Sequence, residues 1–200
     1  MKKSQTDLHV APVEKSDLAA ITALYTTYLN GGEPIVRHLR EAMEYPGYIG
    51  VKCLDGETIA GVLTAIPEID FTYPHSDLEQ RIKKLWDSTK LYSMDMILVQ
   101  PLYQGRGIAR TLAGHLRRHL LEAEVRILIV EMWNPLRHGD RPVEGILKYL
   151  GTCLELWDCP DFYKELYAKG MTCPECGEGP CRCSARIGIV ALEEFGGYGV

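Results

Sequence analysis

Apolar positions along this chain recur with two periods, one helical and one alternating, and their succession lays out an α/β order. His9 to Val13 reads as a short first strand. Ser16 then offers an N-cap, and Leu18, Ile21, Tyr25 and Tyr28 follow at helical spacing. Gly31-Gly32 stops that helix, and Pro34 starts a second one that carries Val36, Leu39 and Met43 on one face until Pro46-Gly47. Tyr48–Leu54 and Thr58–Ile66 are strand-like runs joined by Asp55-Gly56, a hairpin signal because both residues tolerate positive φ. Pro67 to Lys90 reads as an insertion. It holds a capping-box pattern at Ser76-Asp77-Leu78-Glu79 and a helical stripe of Leu78, Ile82, Leu85 and Trp86.

Leu91 to Gln100 is the next strand, and a long helix follows from about Gly107 with Ile108, Leu112, Leu116 and Leu120 spaced by four. Val125 to Trp133 is dense in β-branched residues, as a strand buried on both faces requires. A short helix from Val143 to Leu150 closed by Gly151, a strand at Leu154–Trp157 and a last strand at Arg186–Leu192 complete the order. The pattern predicts a single α/β domain over residues 1–200, with a mixed central sheet flanked by helices on both faces.

Composition narrows the partners. The net charge of −5 argues against nucleic acid, which needs a basic footprint, and suits a cationic substrate. No apolar run reaches the length of a bilayer crossing, and Met1-Lys2-Lys3 leads into polar residues, so the expectation is a cytoplasmic protein without a membrane partner. A homodimer is compatible with these features. Among the seven cysteines, Cys53, Cys153 and Cys159 are scattered, whereas Cys173, Cys176, Cys181 and Cys183 cluster. Without a secretory signal such a cluster suggests a metal site before a disulfide framework.

The stretch from Ile97 to Arg110 carries the chemistry. A strand ends, a short turn follows, and Gly105 and Gly107 open a long amphipathic helix. Glycines allow backbone to approach a ligand closely, and the first helical N–H groups have no internal partner, which suits a pyrophosphate. A dinucleotide turn is the rival reading, with Glu131 imitating its acidic residue. Against it, Pro101 to Gln104 separates the strand from Gly105, Arg110 replaces the third glycine, and little chain follows to complete a doubly wound sheet.

Val99-Gln100-Pro101 followed by Gln104-Gly105-Arg106-Gly107-Ile108-Ala109 resembles motif A of the GNAT superfamily of N-acetyltransferases. The resemblance extends more loosely over His9 to Gly151 and the last strand. It implies an acyl-CoA N-acyltransferase fold and transfer of an acetyl group from acetyl-CoA to a primary amine of a small molecule or protein. By the same resemblance, N–H groups from Gln104 to Ala109 hold the pyrophosphate, the strand end around Leu98 and Val99 holds the pantetheine arm, and Asn134 contacts the cofactor.

Direct attack of an amine on a thioester requires a proton acceptor, donors facing the oxyanion, and an acid for the departing thiolate. In many members of the family that acid is a Tyr at the position that Leu147 occupies here. Tyr149 and Tyr163 are the remaining candidates. Glu131 and Asp95 are the base candidates, Glu131 first, because they lie on the two strands that splay around the thioester in this family.

Cys173-Pro-Glu-Cys176-Gly-Glu-Gly-Pro-Cys181-Arg-Cys183 offers four thiolates for a structural zinc in a knuckle inserted before the last strand. Reduced or disulfide-linked thiols are the alternative. The segment also resembles one carried by a small group of microbial GNAT proteins. Three classes of function remain open at this point: an acetylating enzyme, a coenzyme A-binding regulator without turnover, and a zinc-knuckle interaction module on the same scaffold.

Overall fold

The computed structural model describes residues 8–29, 32–68, 75–135, 143–160, 162–164, 173, 175–177 and 180–193. Seven strands form one sheet in the order β1-β2-β3-β4-β5-β7-β6: β1 Leu8–Pro12, β2 Ile49–Asp55, β3 Thr58–Pro67, β4 Leu91–Val99, β5 Ile127–Asn134, β6 Thr152–Cys159 and β7 Ser184–Ala191. Every neighbouring pair is antiparallel except β4 and β5. The helices are α1 Leu18–Leu29, α2 Gly32–Glu44, α3 Ser76–Trp86, α4 Ile108–Glu122 and α5 Leu147–Leu150. Among the described residues no helix is long and apolar enough to cross a membrane.

The predicted α/β sandwich is the observed one, with four boundary corrections. The first cap is not Ser16: Glu14 and Asp17 form a reciprocal box around a 3-10 turn, and α1 begins after it at Leu18. The first helix ends at Leu29, before Gly31-Gly32 as expected, but α2 starts earlier than Pro34: it begins at Gly32, with Pro34 in its first turn, where a missing N–H costs nothing. At α3 the capping box does not form, because the helix already includes Ser76 and its N-cap is His75; the Glu79 carboxylate instead accepts from Lys83 one turn on. Trp86 leaves the buried stripe and is half exposed, whereas Leu78 and Ile82 are fully covered.

Alternation along the strands sorts the core into two layers. Leu63, Ala65, Met94, Leu128, Val130 and Met132 face α4 and α5, whose Leu112, Leu116, Leu120 and Leu150 have no exposed surface. The opposite face receives α1 and α2 over Val62, Met96 and Leu98, and α3 over Leu91, Ile127 and Ile129.

One irregularity positions everything that follows. The β3–β4 register passes from Thr64↔Met96 to Ala65↔Met94, so Asp95 is an extra residue, a β-bulge. The bulge reverses the alternation, and Met94 and Met96 consequently lie in opposite layers. Pairing of β4 with β5 runs from Leu91↔Ile127 only to Met94↔Val130. Beyond the bulge the two strands part, and among the described residues β4 keeps only β3 as its partner.

Candidate active site

The turn after β4 is built to leave backbone donors free. A 3-10 turn at Pro101–Tyr103 ends the strand, and the Gln104 side chain folds back to donate to the Val99 carbonyl at 3.1 Å. Tyr103 donates to Asp55 at 2.9 Å and lies under the Arg106 guanidinium, which anchors the outer edge of the turn. Gly105 and Gly107 have φ of +74° and +80°, the left-handed region, and a Cβ on either would meet nothing within 4 Å. Space beside both glycines is therefore open, and Gly107 is the N-cap of the 15-residue α4. The first N–H groups of such a helix lack internal acceptors and carry the positive end of its dipole. This set fits a pyrophosphate. The β5-facing edge of β4 beside Leu98 and Val99 is unpaired, as a strand that binds an extended amide-bearing arm must be.

The parting of β4 and β5 opens a cleft on the α1–α2–α3 face. Glu131, next on β5 after the last residue paired with β4, is solvent-accessible yet ringed by protein, as a side chain on the floor of a cleft is. That setting, through loss of hydration, raises its pKa. Tyr163, in the turn after β6, donates to Glu131 Oε1 at 2.6 Å. Burial first, then the Glu131 charge, raises the Tyr163 pKa and keeps its proton in place.

Facing this pair, Asp95 is 2% exposed and accepts two bonds: from Thr64 Oγ1 at 3.0 Å and with His38 Nε2 at 2.5 Å. The His38 side chain, on α2, is 49% exposed, and its bond to Asp95 raises its pKa against the opposing effect of burial. Neither His38 nor Thr64 was marked by the sequence pattern. His38 is one polar position on a strongly amphipathic helix, and nothing local ties it to a carboxylate 57 residues on.

Tyr149 lies outside the cleft, and Asn134 has a partner within the sheet. Tyr149 stacks on the Arg110 guanidinium, 5.2 Å from the ring centre, and packs into the α4–α5 layer rather than the cleft. Leu147 is buried in the same layer. The Asn134 amide donates to Ser184 Oγ at 3.0 Å, closing the end of the β5–β7 ladder.

The four clustered cysteines converge. Their sulfurs lie within 4.8 Å of one another, with contacts of 3.7 Å for Cys173–Cys183, 3.9 Å for Cys176–Cys181 and 3.7 Å for Cys176–Cys183. Four thiolates about 2.3 Å from a tetrahedral zinc stand about 3.8 Å apart, close to the spacing of these three pairs. The Cys176 N–H donates to Cys173 Sγ, and the Arg182 N–H donates to Cys176 Sγ, which lowers the Cys176 pKa to about 7. Gly177, at φ +66°, donates its N–H to the Cys173 carbonyl at 3.0 Å and closes the turn of the first half.

A family model described as the acetyltransferase (GNAT) family matches residues 18–138. No curated protein matches the chain by sequence. Among solved structures, the fold is similar to NAA60 of Arabidopsis thaliana in complex with acetyl-CoA, at 15% identity and a TM-score of 0.65 over 92% of this chain and 98% of that one. It is similar to the ribosomal-protein-S18-alanine N-acetyltransferase of Escherichia coli, at 16% identity and a TM-score of 0.60 over 96% and 99%. The aminoglycoside 6'-N-acetyltransferase of Enterococcus faecium is a third, at 10% and 0.61 over 93% and 98%. At these identities the likeness is one of fold.

Proposed function

The chain belongs to the acetyltransferase (GNAT) family, and on that premise we propose that it transfers an acetyl group from acetyl-CoA to a primary amine of a small molecule or protein. The observation that carries this reading is the parting of β4 and β5 after Met94 and Val130, which opens a polar cleft beside the unpaired strand edge leading to the glycine turn. N–H groups of the Gln104–Ala109 turn would hold the pyrophosphate, and the open edge at Leu98 and Val99 would hold the pantetheine. The thioester is the activated acyl donor. An ammonium group enters a cleft whose carboxylates are Glu131 and Asp95, in keeping with the net charge of −5.

Glu131 and Tyr163 act as a pair in this reading. Once the ammonium has lost its first proton, Glu131 orients the neutral amine and takes the second proton from it as the new N–C bond forms and the C–S bond breaks. Tyr163 protonates the departing sulfur and recovers its own proton from Glu131, so the pair ends as it began. A raised Glu131 pKa favours that brief protonation.

The test is thiol release from acetyl-CoA with spermidine, free lysine, kanamycin and an alanine-led peptide as acceptors. Release with one of them establishes transfer. Binding of acetyl-CoA with no release for any would instead favour a coenzyme A-binding regulator. A second proposal rests on the sulfur spacing: Cys173, Cys176, Cys181 and Cys183 hold one zinc ion that is structural, because four thiolates leave no open coordination position.

A further inference from the structure

Asp95 is placed by the bulge with its carboxylate 2% exposed, and a carboxylate so far out of water is costly unless its lone pairs are satisfied. Thr64 satisfies one oxygen and His38 the other, one from β3 and one from α2. The surroundings complete the picture. Tyr25 of α1 is buried nearby with an unpartnered hydroxyl, and Tyr48 is bonded to Thr64. Among the described residues, the charges that act most strongly on His38 are negative: Asp95 on β4, Glu41 on α2 and Glu131 on β5.

Resting on the acetyltransferase reading above, we propose that His38 is the catalytic base that takes the first proton from the acceptor ammonium, with Asp95 as its positioning residue. The bond to Asp95 engages Nε2, so Nδ1 carries the free lone pair, on a side chain that is half exposed while its partner is buried. This is the division of labour of a base oriented by a buried carboxylate. Glu131 lies close enough to interact electrostatically with both His38 and Asp95.

The protons then balance. The ammonium gives one proton to His38 Nδ1 and becomes a neutral amine. Its lone pair attacks the thioester carbonyl, the N–C bond forms, and the C–S bond breaks with its electron pair on sulfur. The second proton leaves nitrogen through Glu131 and Tyr163 and ends on the sulfur. His38 returns its proton to water. The two carboxylates thus have different tasks: Asp95 holds the base, and Glu131 serves the leaving group.

The negative surroundings raise the His38 pKa, so the neutral, active form prevails only above it. For the parent, kcat/KM should climb with pH through a limb above the ordinary histidine value. His38→Ala is the main variant, since alanine suits a half-exposed helical position, and His38→Gln, whose amide can still donate to the buried Asp95 carboxylate, is its companion if the alanine variant loses stability. With whichever of spermidine, free lysine, kanamycin or the alanine-led peptide the parent acetylates, we expect kcat to fall about a hundredfold or more. The ascending limb should vanish, acetyl-CoA binding should persist, and added imidazole should restore part of the rate. Asp95→Asn, which keeps shape and removes charge, should move the limb to lower pH. An unchanged limb in His38→Ala, or a loss that imidazole does not relieve, overturns the assignment while leaving the acetyltransferase reading intact. A parent that binds acetyl-CoA but acetylates none of the four amines overturns both.

Discussion

Tyr163 donates its phenolic proton to Glu131 Oε1 across 2.6 Å, joining the turn after β6 to the open end of β5. Tyr163→Phe removes one hydroxyl and keeps the ring, which packs edge-on against Phe162. Turnover should drop about a hundredfold or more with acetyl-CoA affinity nearly unchanged. Tyr149→Phe should leave turnover close to the parent's, because that ring sits on Arg110 in the other layer. Steady-state kinetics of the two variants decide it, and equal small effects would return the proton to water or to the acceptor.

Gly107→Val tests the pyrophosphate cradle. At φ +80° a side chain costs about 1–2 kcal/mol in the left-handed region, although a Cβ there touches nothing in the protein itself. The variant should fold with that modest loss, and the thermal shift produced by acetyl-CoA in the parent should disappear. NADH should shift neither protein. A full acetyl-CoA shift in Gly107→Val would remove the proposed binding mode.

Gly151→Ala is expected to be severe for a different reason. Its φ lies in the extended range, so the backbone is not the obstacle. A Cβ there would stand 2.0 Å from the Ala191 carbonyl oxygen, where β6 starts beside the end of β7. Neither backbone can yield without breaking the ladder, and a loss of several kcal/mol follows. Denaturant unfolding, or failure to recover folded protein, measures it; stability within about 1 kcal/mol of the parent would contradict the geometry.

The cysteine site makes a compositional prediction. Protein expressed with zinc and purified under reducing conditions should carry about one equivalent per chain, and Cys176→Ser should lower it sharply. Because Cys183 directly precedes β7, loss of metal should loosen that strand and lower Tm without altering the acetyl-CoA shift. Metal-free parent protein, or full occupancy in the variant, would sink the zinc proposal.

Asn134→Ala separates a structural from a cofactor-binding role. The amide spans 3.0 Å to Ser184 at the last β5–β7 pair. If that bond is its task, stability falls by about 1 kcal/mol and the dissociation constant for acetyl-CoA does not move. A weakened acetyl-CoA constant at unchanged stability would assign Asn134 to the cofactor instead.

The helix and strand order, the hairpin at Asp55-Gly56, the glycine turn and the cysteine knuckle were all legible in the sequence. Each depends on residues within one turn, one hairpin or one short spacing, and hydrophobic periodicity reports such local order directly. The cap at Glu14, the empty capping pattern at Ser76 and the outward Trp86 were misread because a single residue of register changes them, and register is set by the layer a helix packs on. The cleft was legible only through the family resemblance, which put Glu131 and Asp95 on strands that splay apart. It depends on a bulge at Asp95 that no local pattern reveals, since it exists only in the pairing of β4 with β3. It then depends on contacts across 57 residues from His38 to Asp95 and across 32 from Glu131 to Tyr163. The chain by itself determined which elements form and where the phosphate-binding turn lies. Only the tertiary structure decided which polar side chains meet, because burial of the two apolar layers, rather than any attraction between those side chains, brings α2, β4, β5 and the turn after β6 together.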